Sequence, residues 1–95
     1  MGIVAQAIRS KLVGAFDPTL VEVVDQSALH AGHAGAREGG ESHFAVTLES
    51  AAFQGASALE RQRRVYRVLA EELGGPVHAL SLSLRAPGEA PVSRS

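Results

Sequence analysis

Hydrophobic residues recur every four positions at the start of the chain. Val4, Ile8, Leu12 and Phe16 form one stripe, while Gln6, Arg9, Ser10 and Lys11 supply polar faces. That spacing predicts an amphipathic helix over 3–16. Asp17-Pro18 ends it, because the residue before a proline is sterically pushed out of the helical region. The period then changes to two. Over 19–26, Val21 and Val23 share one face and Leu20, Glu22 and Val24 the other, as in a strand. Residues 42–49 alternate more cleanly, with Phe44, Val46 and Leu48 inward and His43, Ala45, Thr47 and Glu49 outward. This half-buried strand is expected to pair with the first as an antiparallel hairpin.

Between the two strands, residues 27–41 carry Gly32, Gly35, Gly39 and Gly40 and read as a long loop. A loop of that length in a small domain is more often functional or mobile than idle. After the second strand, Ser50–Gly55 reads as a helical turn closed by glycine. Ser57-Ala58-Leu59-Glu60 has capping-box spacing, in which the serine oxygen accepts from the amide three residues on and the glutamate reaches back. A helix over 58–73 follows, with Leu59, Val65, Tyr66, Leu69 and Leu73 as its expected buried stripe, and Gly74-Gly75-Pro76 stops it. Residues 77–84 make a third strand. Its leucines (Leu80, Leu82, Leu84) face one way and Ala79, Ser81 and Ser83 the other, with His78 on the leucine side at the entry. The expected domain spans 1–86, and 87–95 is expected to be a disordered tail.

The element order is α-β-β-α-α-β, in which the first of the two later helices is short. The connection from the second strand through the helix to the third is a crossover, which favours parallel pairing. The expected fold is α+β: a three-stranded mixed sheet covered by helices on one face, similar to the KH-like class of small domains.

Composition narrows the function. Ninety-five residues at 45% hydrophobic make one domain with one core. A net charge of -1 is not the field of a strongly basic nucleic-acid binder. The absence of cysteine excludes a disulfide framework and every cysteine-based zinc module. No apolar run reaches membrane-spanning length, and the first residues read as helix, not as a signal peptide, so a cytoplasmic location is expected. No Ser-His-Asp order, paired carboxylate set, P-loop or dinucleotide fingerprint is present, so an enzyme is not expected.

What remains is imidazole and guanidinium chemistry. Neutral imidazole is a common metal ligand, and His30, His33 and His78 are the candidates. Without a thiolate they furnish only part of a soft-metal site. Read alone, His78 fits a strand-edge histidine bonded to backbone as well as a ligand, and His30 and His33 fit solvated loop residues. The spacing of His30 and His33 suits one metal on a helix, but Gly32 and Gly35 argue against a helix there. His43, outward on the second strand, stays outside the site. Arg61, Arg63, Arg64 and Arg67 form a basic stripe suited to phosphates, but Glu60 to Arg64 and Arg67 to Glu71 are opposite-charge pairs one turn apart that neutralise part of it. Gly55-Ala56-Ser57-Ala58 lacks the second glycine of an RNA-clamping Gly-x-x-Gly loop.

Several strings, in order along residues 3–86, are similar to the BolA family: Leu20-Val21-Glu22-Val23-Val24-Asp25-Gln26-Ser27, Glu41-Ser42-His43-Phe44, Phe53-Gln54-Gly55, Arg61-Gln62-Arg63-Arg64-Val65-Tyr66, Leu69-Ala70-Glu71-Glu72-Leu73 and Val77-His78-Ala79-Leu80-Ser81. The resemblance implies partnership with a monothiol glutaredoxin and a [2Fe-2S] cluster shared across the pair. The partner's cysteine and a glutathione thiol hold one side. A histidine from the loop between the first two strands and one at the start of the last strand hold the other. His78 matches the latter and His30 the former, with His33 as the alternative. No cluster is expected in the isolated protein, which is expected to be a monomer or weak homodimer. The cysteine-free loop resembles the family's histidine-type members. Histidine in place of thiolate raises a cluster's potential, and a protonatable ligand makes it acid-sensitive. Some family members are regarded as transcriptional regulators, so DNA contact through the arginine helix is the alternative function.

Overall fold

The computed structural model describes residues 2–26 and 42–89. Helix α1 (Ile3–Phe16) buries Ala5, Ile8, Leu12 and Phe16, the stripe expected from its spacing, with Ala5 replacing the half-buried Val4. Asp17 closes it in the left-handed conformation (φ 47°), its amide donating to the Val13 carbonyl over 3.0 Å. Aspartate tolerates that conformation better than most residues. Strand β1 (Leu20–Asp25) turns back against β2 (His43–Glu49) in antiparallel register, Val23 opposite Val46. A 3-10 turn (Ala51–Phe53) follows, then a type II β-turn in which Gly55 takes φ 74° and the Ala56 amide closes on the Phe53 carbonyl over 3.1 Å. Position i+2 of such a turn needs positive φ, which glycine adopts without strain.

The expected single helix over 58–73 is two: α2 (Ala58–Val68) and α3 (Ala70–Leu73), bent at Leu69. The bend keeps Leu69 in the core while Glu72 meets Lys11 of α1 over 2.8 Å. Ser57 caps α2 through the Glu60 amide over 3.1 Å. The glutamate does not complete the capping box, because its carboxylate holds Arg64 instead, over 3.1 Å. The expected stripe also needs correction. Val65 and Leu69 are buried, but Leu59 and Tyr66 are 55% and 38% exposed. Leu59 and Tyr66 are seven residues apart and share a face. Arg61, Val65, Val68, Leu69 and Glu72 follow the spacing of a different one, and that face meets the core.

Strand β3 (Ala79–Arg85) lies parallel to β2, and the sheet order is β1-β2-β3. The helices among the described residues lie on one face of this mixed sheet. Ile8, Leu12 and Phe16 pack with Phe44, Val46, Leu48, Phe53, Val65, Leu69, Val77 and Leu84. Phe16 and Phe53 meet as tilted rings with centroids 5.1 Å apart. Full burial of a side chain of this size contributes roughly 1.5–3 kcal/mol. Buried Ser50 ties the layers together, donating to the Phe16 carbonyl over 2.6 Å and accepting from the Ala52 amide. The other sheet face carries His43, Ala45, Thr47, Glu49, Ala79, Ser81, Ser83 and Arg85 in paired register.

The described residues run past 86, the expected domain limit, to Glu89. Glu89 accepts from the Ala86 amide over 3.0 Å and grips Arg61 of α2. Residues 90–95, the rest of the expected tail, and the 27–41 loop with His30 and His33 lie outside the described residues.

Candidate functional site

Three chain segments reach one rim of the sheet. β1 runs out there at Asp25 and Gln26, β2 begins there after Ser42, and β3 begins there after His78. The register fixes this: Asp25 stands opposite Phe44, and Phe44 opposite Leu80. Both ends of the segment 27–41 therefore attach at the rim that carries His78.

His78 is held by its backbone, and the residue is exposed. The preceding Val77 is buried, and its amide donates to the Glu72 carbonyl over 3.0 Å. The His78 amide donates to the Ser42 carbonyl over 2.7 Å, and the Ala79 amide shares that acceptor over 3.2 Å. The sheet ladder starts at the next residue. With the backbone fixed on both sides, the exposed His78 residue presents an imidazole at the rim. A neutral ring there can donate a nitrogen lone pair to a metal or take up a proton.

His43, which the sequence pattern leaves out, belongs to the same neighbourhood. It stands in register with Ala79, and its Nδ1 shares a 2.9 Å hydrogen bond with the Oγ of buried Ser42. Alternation assigns it correctly to the outward face of β2. Its nearness to His78 depends on the parallel β2/β3 register, which no local pattern carries. Among the described residues no three His, Cys, Asp or Glu side chains form a metal-holding group.

The arginine stripe is only partly open. Arg61 is bound end-on by Glu89 through two bonds of 2.8 and 2.9 Å, lies 5.8 Å from the Phe53 ring centroid, and reaches the Leu84 carbonyl at 3.5 Å. The guanidinium and the Ala86 amide hold the Glu89 carboxyl down at about 2. Arg64 is shared between Glu60 and the Ala52 carbonyl. The expected Arg67–Glu71 pair is replaced, because Glu71 bonds Lys11 over 2.8 Å. Lys11 holds the Glu71 carboxyl below the usual range. Of the four arginines, Arg63 and Arg67 are the exposed ones without an ion pair among the described residues. No helix among the described residues is long and apolar enough to cross a membrane.

Comparison with known proteins agrees with this architecture. Human BolA-like protein 1 is 45% identical over 89 residues, which cover 94% of this chain and 62% of that protein. The chain thus spans a little under two-thirds of that relative's length. The DNA-binding transcriptional regulator BolA of Escherichia coli (strain K12) is 47% identical over 79 residues, 83% of this chain and 71% of the relative. The solved BolA domain of SufE1 from Arabidopsis thaliana superimposes with a TM-score of 0.82 at 41% identity, covering 95% of this chain and 99% of that domain. The BolA-like protein family profile matches residues 12–89. With its fold and its sequence in agreement, the chain belongs to the BolA-like protein family.

Proposed function

We propose that this chain is an accessory in iron–sulfur cluster assembly or trafficking. It docks on a monothiol glutaredoxin and offers two imidazoles to a shared [2Fe-2S] cargo: His78, and one from the segment 27–41, His30 or its alternative His33. The partner's cysteine and glutathione provide the sulfur this chain lacks. One observation carries the reading. The 2.7 Å bond from the His78 amide to Ser42 fixes His78 beside the point where that segment rejoins the sheet.

The chain's own contribution follows from its chemistry. The strand entry holds the His78 backbone, so little ordering is needed when its ring binds. The ring must be neutral to ligate, so protons compete with the cargo and acid releases it. The test is to mix the protein with cluster-loaded glutaredoxin and follow visible absorption and circular dichroism. The parent chain changes both, and His78→Ala abolishes the change.

A second reading is favoured by the name of the E. coli relative. In it, α2 contacts DNA phosphates through Arg61, Arg63, Arg64 and Arg67. With Arg61 and Arg64 engaged within the fold, the open charge on that helix rests on Arg63 and Arg67. Phosphate contact of this kind gives affinity that falls steeply with salt.

A further inference from the structure

We infer that two copies of this chain associate through the free edge of β3, in antiparallel register centred on Leu82. The inference is independent of the cluster reading.

Among the described residues, β3 is an edge strand. In parallel register with β2, its odd-numbered residues bond inward: the Ala79 amide reaches Ser42 and the Arg85 carbonyl receives the Ser50 amide. The amides and carbonyls of Leu80, Leu82 and Leu84 therefore point away from the sheet. Arg61 meets one of them, the Leu84 carbonyl, at 3.5 Å. The others make no bond among the described residues. Edge strands are commonly guarded by charge, proline or a bulge. β1, at the opposite edge, carries Glu22 and Asp25, whereas Ala79–Leu84 has no charged residue and no proline.

The edge is complementary to itself. In an antiparallel pair centred on Leu82, Leu82 meets Leu82 of the second copy, Leu80 meets Leu84, and Ser81 meets Ser83. Leucines join leucines on the helix-covered face and serines join serines on the open one. No like charges are opposed in this register. Beside the edge runs a groove of about 150 Å³ lined by Ala58, Arg61, Gln62, Leu82 and Leu84, placed to receive the incoming leucines. A contact of one seven-residue strand per copy covers well under the roughly 800 Å² per partner of a standard stable interface. The dimer is therefore weak and forms at high concentration.

The test is sedimentation of the chain from about 10 µM to about 1 mM, with amide exchange read by NMR over the same range. The parent gains mass with concentration, and the Leu80 and Leu82 amides become protected as it does. Ser81 and Ser83 face each other across the axis on the open sheet face, so charge there tests the register without touching the core. The S81K/S83K double variant opposes like charges and weakens association by about 2- to 30-fold. S81K/S83E opposes unlike charges and strengthens it. A parent chain that stays monomeric with unprotected Leu82, or two double variants that associate equally, would overturn the inference. The first result would leave the edge open to a strand of another protein.

Discussion

The main-chain amide of His78 donates to the main-chain carbonyl of Ser42 over 2.7 Å, while the Ser42 hydroxyl bonds the ring of His43 over 2.9 Å. One residue thus anchors two histidines by different atoms. Ser42→Ala should remove this bond to the His43 ring and leave His78 in place, with a stability loss of about 1 kcal/mol. Histidine ring spectra check this. His43 signals should move and His78 signals should not.

The clasp between Arg61 and Glu89 sets an acid limit on stability. Glu89 titrates at about 2 when folded, against an ordinary 4.5. Its contribution is therefore complete above pH 4.5 and is lost as the pH falls toward 2. A carboxyl titration by NMR should place Glu89 near the lower value, and Arg61→Gln should return it toward the ordinary one. Glu89→Gln should flatten the stability profile over the same window.

The corrected face of α2 separates two leucines that the sequence pattern treats alike. Leu69 is 1% exposed and Leu59 is 55% exposed. Leu69→Ala should cost about 2–5 kcal/mol, and Leu59→Ala no more than about 0.5 kcal/mol. Urea unfolding of the two variants measures both.

The ends of α1 and the facing of β1 and β2 were legible, because four-residue and two-residue periods each name one buried face. The stripe over 58–73 differs from the hydrophobic pattern because the face that meets the core includes Arg61 of α2 and Glu72 of α3, polar residues that hydrophobicity alone assigns to solvent. Their burial is explained by partners distant in sequence, Glu89 and Lys11. The bend at Leu69 has no proline or glycine to mark it. At the rim, His78 was readable from its place at a strand entry, but His43 was not. Its position beside β3 exists only once the crossover sets the parallel register.

The DNA reading makes a graded claim about the same helix. Replacing Arg63 and Arg67 together should weaken DNA binding at every sequence and reduce the slope of log affinity against log salt by about 2. Arg61→Ala should instead lower thermal stability, since its guanidinium is bound within the fold. Salt-dependent fluorescence anisotropy and thermal melts divide the two effects. No DNA binding by the parent chain at low salt would remove this reading.

The offered imidazole at the β3 entry is the centre of the account. The most direct measurement is the visible circular dichroism of cluster-loaded monothiol glutaredoxin titrated, with glutathione present and oxygen excluded, by the parent chain and by its His78→Ala and His43→Ala variants. The account predicts a new spectrum with the parent and with His43→Ala, and none with His78→Ala. An unchanged response from the His78→Ala chain would contradict it.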